Sequence, residues 1–198
     1  MSHTSTTNLF ARFVALLFYC LLAGAADAAS PELEQVMTAL AARQHGHVTY
    51  TEHQYLAVLD RPLESSGELL YDAPDRLEKR TLKPKPESMV LERGVVTVQR
   101  GRRKTVLNLR DYPQILPFVE SIRATLAGDA SALERIFTLT FTGSFDDWQL
   151  ALVPRDEKLK GTVSQVLLQG RRDDILTVET RVADGDRSVL TIGAPVGP

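Results

Sequence analysis

The feature that most constrains this chain is a succession of short segments with period-two hydrophobicity, each closed by a turn signal, running from His47 to Leu109. The stretch SSGELLYDAPDRLEKRTL, Ser65 to Leu82, shows the repeating unit. Leu69 and Tyr71 fall on one side of a strand, Ala73-Pro74-Asp75 makes a turn, and Leu77 opens a charged strand on the same odd-numbered side. Further turns are expected at Asp60 to Ser66, Pro84 to Pro86, Arg93-Gly94 and Gly101 to Arg103, so this half reads as an antiparallel meander.

The first residues read differently. Arg12 ends a polar start, Phe13 to Leu22 is unbroken apolar sequence, and Ala26-Asp27-Ala28 supplies the small residues a signal peptidase requires, so cleavage after Ala28 is expected. The apolar run is roughly half of what a bilayer-crossing helix needs, which disfavours a permanent anchor. Cys20, the single cysteine, lies in that run behind bulky Tyr19, which speaks against lipid attachment there. The mature chain then has no cysteine, which excludes a thiol nucleophile, a disulfide framework and a thiolate metal site, and export without disulfides fits a bacterial periplasm. The remaining residues, 29–198, have the length of one domain. A net charge of −2 favours neither nucleic acid nor an anionic membrane surface as partner.

Helical spacing appears twice. Ser30-Pro31 is an N-cap followed by proline, and Leu33, Val36, Met37, Leu40 and Ala41 recur at helical intervals, predicting a helix from Pro31 to Gln44 before Gly46. Ile115, Phe118, Val119, Ile122 and Leu126 predict another, with Asp111 as its cap and Gly128 at its end. Ser131-Ala132-Leu133-Glu134 matches a capping box that opens a shorter third one. Strands resume at Phe137–Ser144, Trp148–Val153, Leu159–Gln169, Ile175–Val182 and Ser188–Ile192, and the tail from Gly193 is expected to fray. The fold class is therefore α+β, a strongly curved antiparallel sheet of about ten strands forming a half-open barrel that encloses helices acting as plug and lid. Two accounts of the concave side remain open. The helices fill it, making every apolar stripe ordinary core, or they leave a lipid-sized cavity.

Groups able to do chemistry are sparse. His47 and His53 share a side of one strand but stand about 20 Å apart, too far for one metal ion, and His45 has no carboxylate placed by sequence to complete a site. Asp146-Asp147 and Asp173-Asp174 sit at turns, where capping is the expected role. Ser65, Ser66, Ser88 and Ser144 lack a nucleophile elbow, and no phosphate-cradling glycine loop occurs. The basic cluster QRGRRKT, Gln99 to Thr105, reads as a solvated hairpin turn. Neither catalysis nor a cofactor nor a metal is expected.

The order helix, long meander, helical insert and second meander behind an export signal, with the local stretch GELLYDAPDRLEK, resembles the periplasmic lipoprotein carriers of the LolA type across Ala29 to Gly193. The resemblance implies a half-open barrel lined with apolar residues and lidded by helices, holding the acyl chains of a lipoprotein in transit to the outer membrane. There are departures. Ala73 stands where such carriers typically have arginine before the strand-end proline, Leu77 and Lys79 stand where aromatic residues are usual, and nothing after Ile192 corresponds to the closing strand and tail.

The expected function is a periplasmic carrier that binds an acylated amphiphile, whether lipoprotein, other lipid or glycolipid, and passes it toward the outer membrane. Its partners would be the lipid or acylated-protein cargo, an inner-membrane donor and an outer-membrane acceptor, with the carrier a monomer. The alternative is a lipid-sensing or adaptor module on the same half-barrel that carries nothing. The ligand-binding residues expected from the first meander are Leu69, Tyr71, Leu77, Met89 and Leu91, on the side set by parity with Ala73 for the first three. Leu139, Phe141 and Trp148 are expected from the second meander, and Ile115, Phe118, Val119 and Ile122 from the lid.

Overall fold

A computed structural model describes residues 30–113 and 116–197, so the expected leader and Ile115 lie outside the described residues. Within them the order is α1 (Pro31–Ala41), β1 (His45–Tyr55), β2 (Leu63–Asp72), β3 (Arg76–Lys83), β4 (Glu87–Glu92), β5 (Val95–Arg100), β6 (Arg103–Asn108) and a 3-10 turn at Leu109–Asp111. There follow α2 (Leu116–Leu126), α3 (Ala130–Ile136), β7 (Phe137–Ser144), β8 (Asp147–Pro154), α4 (Glu157–Lys160), β9 (Val163–Arg171), β10 (Asp174–Val182) and β11 (Arg187–Pro195). The fold is α+β: one curved, unclosed antiparallel sheet of eleven strands in the order β6-β5-β4-β3-β2-β1-β11-β10-β9-β8-β7, with four helices.

The strand expected at Ser188–Ile192 is β11, which runs on to Pro195 and joins the two meanders. It pairs with β1 from Tyr55↔Arg187 to Val48↔Pro195, and the Val196 N–H donates to the His47 carbonyl at 2.9 Å. The tail expected to fray after Ile192 is thus a paired strand. Its partner lies some 140 positions upstream, a pairing that no local pattern reports.

Three helix boundaries differ from expectation for identifiable reasons. Ser30 caps α1 as predicted, its Oγ accepting from the Leu33 N–H at 3.2 Å, but the helix ends at Ala41. Arg43 beyond it bonds Asp173 and Asp174, each at 2.7 Å, and His45 already pairs with Asp72 on β2. Asp111 does not cap α2, because it belongs to the 3-10 turn. Asp129, not Ser131, caps α3, with Oδ1 taking the Ala132 N–H at 2.8 Å. Just before it Gly128 has φ +64°, and a Cβ there would stand 2.0 Å from the Met37 carbonyl oxygen, so glycine lets α1 press against the α2–α3 turn. The expected strand from Leu159 is delayed to Val163 because Asp156 Oδ1 accepts from the Lys158 and Leu159 N–H groups and nucleates α4.

Candidate functional site

Cross-strand register identifies one continuous face of the sheet. Tyr71 stands opposite Leu77 and Leu77 opposite Leu91, while Leu69 stands opposite Lys79 and Lys79 opposite Met89. The same face continues through Val48 opposite Leu69, Tyr50 opposite Ile192, and Glu52 opposite Leu190. It then runs by Val178 and Leu168 to Leu150, with Leu150 opposite Phe141, Leu152 opposite Leu139, and Trp148 opposite Gly143. All eight sequence-derived strand residues therefore lie on one face, and the helices pack on it, since Leu33, Val36, Met37, Leu40 and Leu133 join Trp148, Leu150 and Leu152 in one core cluster.

The two ends of this inner face are not equivalent. From β7 to β9 it is covered by helices: Phe137 is fully buried, Leu150, Leu152, Val166 and Leu168 are buried in one cluster with residues of α1 and α3, and Val178 of β10 packs against them half-buried. Trp148 belongs to this packed end. It is 2% exposed, its Nε1 donates to the Arg172 carbonyl at 2.9 Å, and a Cβ on Gly170 would stand 2.1 Å from its Cζ2. The absence of a side chain at Gly170 makes the slot for the indole, so Trp148 is a core anchor and not part of an accessible lining. Leu139 and Phe141 are half-buried at the rim of the core.

From β2 to β6 the same face is lined by Leu69, Leu77, Leu91, Val96, Val98 and Leu107, all half-buried, and by Met89, which is 39% exposed. None of these belongs to the helix-covered cluster. Tyr71 alone of the sequence-derived residues here is buried. Burial pushes its phenol upward in pKa, opposed by the positive charge of Arg123 on α2.

The helix expected to act as a lid, α2, buries positions other than those of its apolar stripe. Its buried positions are Ser121, Ala124 and Thr125, small residues whose hydroxyls are satisfied within the helix: Ser121 Oγ donates to the Phe118 carbonyl at 2.7 Å and Thr125 Oγ1 to the Ser121 carbonyl at 2.8 Å. Phe118 packs against the core, but Val119 is only half-buried and Ile122 is 37% exposed. Val119 and Ile122 of the stripe that periodicity singled out are thus left partly uncovered, while Ser121, Ala124 and Thr125 take the buried side of α2.

A polar belt crosses the middle of the inner face, which sequence reasoning missed. Lys79 Nζ reaches Glu52 Oε2 at 2.5 Å and lies over the Tyr50 ring, 5.0 Å from its centroid, while Tyr50 Oη and Thr81 Oγ1 are 2.8 Å apart. Ser65 and Ser188 donate to the same carboxylate at 3.2 and 2.6 Å. Burial alone would raise the Glu52 pKa, but the bonds from Lys79 and Ser188 and the lysine charge hold it below the ordinary carboxylate value. Lys79 shares odd parity with Leu77, so its inward position was legible. Its partner sits 27 residues earlier on a strand whose register no local signal gives.

The convex side holds the remaining charges. Glu78 is buried between Arg76 and Arg80, at 2.6 and 2.5 Å, and although burial would raise its pKa, these two guanidinium groups bring it below the ordinary value. His45, His47 and His53 lie there too, facing Asp72, Glu68 and Glu64 at 3.0, 3.1 and 3.7 Å. Each pairs singly, and among the described residues no group of three metal-ligating side chains comes together. His45, His47, Asp72 and Arg43 border an open depression of about 430 Å³ with Leu70 and Val196. Asp146 pairs with Arg172 and Asp173-Asp174 with Arg43, so both turns carry exposed ion pairs. In the basic hairpin, Arg100 pairs with Glu87.

Comparison with known proteins follows this geometry. A family model described as "Outer membrane lipoprotein carrier protein LolA-like" matches residues 23–196. No curated protein matches the sequence. Among solved structures, a LolA superfamily protein from Nitrosomonas europaea is 11% identical with a TM-score of 0.44, over 84% of this chain and 92% of that one. A putative outer membrane lipoprotein-sorting protein domain from Vibrio parahaemolyticus is 9% identical with a TM-score of 0.43, over 83% and 90%. A chain of the MucA/MucB complex of Pseudomonas aeruginosa is 18% identical with a TM-score of 0.45, over 83% of this chain and 58% of that one.

Proposed function

The chain belongs to the LolA-like family of outer membrane lipoprotein carriers, and from that premise we propose that it is a monomeric periplasmic carrier of an acylated amphiphile. Its acyl chain lies along the inner face of β2 to β5, against Leu69, Leu77, Met89 and Leu91, with Val119 and Ile122 of α2 closing over it. The observation that carries this reading is the asymmetry of the inner face. One end is sealed by α1 and α3, and the other presents apolar side chains that the described helices leave partly open to solvent.

Each methylene moved from water onto such a surface is worth about 0.8 kcal/mol, so a long acyl chain supplies on the order of 10 kcal/mol before the losses of association. Capture is therefore easy and release is the harder step. A carrier releases when its closed form is only slightly preferred, and α2 suits that role because its buried face is made of small residues with little area to lose. Pro113 precedes the helix and Pro117 lies in its first turn, which is compatible with a hinged lid and is also how many helices begin. The Glu52–Lys79 belt marks the end of the apolar tract and suits the polar junction of an amphiphile. No reaction is assigned to the protein in this reading.

The test is organic extraction of the protein purified from its native periplasm, followed by mass spectrometry. Lipid in near-equal molar amount is the expected result. A co-purifying protein with no lipid overturns the carrier reading in favour of an adaptor.

A further inference from the structure

The hairpin tips β1–β2, β3–β4 and β5–β6 lie side by side on one rim of the sheet, because β1 to β6 neighbour one another in chain order and alternate connections fall at the same end. Adjacent tips stand about 10 Å apart, two strand spacings. Residues 56–64, 82–87 and 99–104 form these tips and carry seven basic and three acidic side chains, so a chain of net charge −2 gathers a local excess of positive charge here. Arg100 is paired with Glu87, but Arg61, Lys83, Lys85, Arg102, Arg103 and Lys104 are exposed and form no ion pair among the described residues. The β10–β11 turn bounds the patch beside β1. There Asp184 and Asp186 accept from the N–H groups of Asp186 and Ala57, and Arg181 and Arg187 flank Glu179.

Apolar side chains project among these cations. Ten large apolar side chains are exposed among the described residues, and five of them, Tyr55, Val58, Leu59, Leu63 and Leu82, belong to this rim, a concentration that scattered surface residues do not give. Tyr55 is engaged, since Arg187 lies over its ring, 4.1 Å from the centroid. Val58 is the most exposed of the ten, at 88%. It sits in the connection of a hairpin that continues past the end of β3, because Lys83 is level with Ser66 while β2 runs on to Leu63. That connection is held in place: the Ala57 N–H donates to Asp186 Oδ1 at 2.7 Å and the Leu59 N–H to the Leu56 carbonyl at 2.9 Å. The hairpin thus presents Val58 to water on a fixed backbone, with basic side chains on the same tip and on the two beside it.

We propose that this rim docks the protein on an anionic phospholipid surface, with Val58 and Leu59 entering the interface and the cations of the three tips meeting the lipid phosphates. Charge and shape together select this occupant. A folded partner would have to present an apolar pocket ringed by carboxylates, whereas a lipid interface yields to a projecting side chain and offers negative charge wherever the tips land. The patch is a set of projecting tips and not a groove, so it suits a surface that deforms around it. The proposal goes beyond the carrier reading and holds whatever the inner face binds.

The test is co-sedimentation of the protein with vesicles of phosphatidylcholine alone and of an equimolar mixture with phosphatidylglycerol. Binding to the mixture should be at least about tenfold tighter than to phosphatidylcholine, and the difference should vanish at high salt. Val58→Ser, and separately Lys83→Glu with Lys85→Glu, should each weaken binding to the mixture about tenfold while leaving urea unfolding unchanged, because these side chains are exposed. Val58→Trp should keep binding, with an emission that shifts to the blue and is quenched by brominated phosphatidylcholine. Leu69→Glu, which alters the inner face, should bind vesicles like the parent. Equal binding to both vesicles, no binding to either, or no spectral change in Val58→Trp overturns the proposal. Loss of vesicle binding in Leu69→Glu assigns the association to cargo uptake and overturns it as well. Retention of the protein on polyglutamate without binding to vesicles assigns the rim to an acidic polypeptide, with the same consequence.

Discussion

Lys79→Met isolates the polar belt on the inner face. Methionine keeps most of the apolar stem that lies over Tyr50 and deletes the ammonium group 2.5 Å from Glu52 Oε2. What remains is a carboxylate whose side chain is 9% exposed, with the Ser65 and Ser188 hydroxyls still donating to it. Removing one partner of a fully buried pair typically costs 3–5 kcal/mol. Because the lysine side chain is 29% exposed and the two hydroxyls persist, a loss of about 3 kcal/mol is expected here, at the low end of that range. With a urea dependence of about 2 kcal/mol per molar, the unfolding midpoint at pH 7 should fall by about 1.5 M. The double variant Glu52→Gln with Lys79→Met removes both charges and should return to within about 1 kcal/mol of the parent. The pH dependence follows from the lowered Glu52 pKa. A carboxyl held below its unfolded value contributes stability above that value and loses it as pH falls through the folded one. Without Lys79 its hydrogen bond and charge no longer oppose the effect of burial, so the gap between parent and variant should be widest near neutrality and close in acid. A gap under about 1 kcal/mol at pH 7, or one unchanged at pH 3, would refute the claim that this pair carries its buried charge through Lys79.

Leu69→Glu should fold and be secreted but lose palmitic acid binding, because Leu69 is half-buried outside the core cluster, whereas Leu150→Ala, at a position 1% exposed, should cost about 2–5 kcal/mol; urea unfolding and ligand titration of both separate the two ends of the inner face. Gly170→Ala would set a Cβ 2.1 Å from Trp148 Cζ2 and 2.4 Å from the Asp174 carbonyl oxygen, so a destabilisation of about 1–3 kcal/mol and a red shift in the fluorescence of the single tryptophan are expected. Arg43→Ala should cost less than about 1 kcal/mol, and less still at high salt, because Asp173 and Asp174 are 46% and 61% exposed in their side chains; a larger loss in thermal unfolding would show that the link between α1 and the β9–β10 turn is structural.

Alternation along the chain determined the strands and their faces. Leu69 with Tyr71, Met89 with Leu91, and Leu139 with Phe141 share a face within their strands because a period of two is a local property of extended backbone, whereas the cross-strand register decided that these faces and those of Leu77 and Trp148 lie on one side of the sheet. Local chemistry likewise set the start of α1 at Ser30-Pro31, and the Ala73 turn between β2 and β3. The joining of β11 to β1, the pairing of Glu52 with Lys79, and the partial exposure of Ile122 were decided by tertiary structure, the first two through partners tens of residues away. The same holds for the difference between a sealed end under α1 and α3 and an open end along β2 to β6. An apolar stripe has the same spelling whether a helix covers it or not, and only the packing of small residues such as Gly128, Ser121 and Ala124 fixed where the helices came to rest.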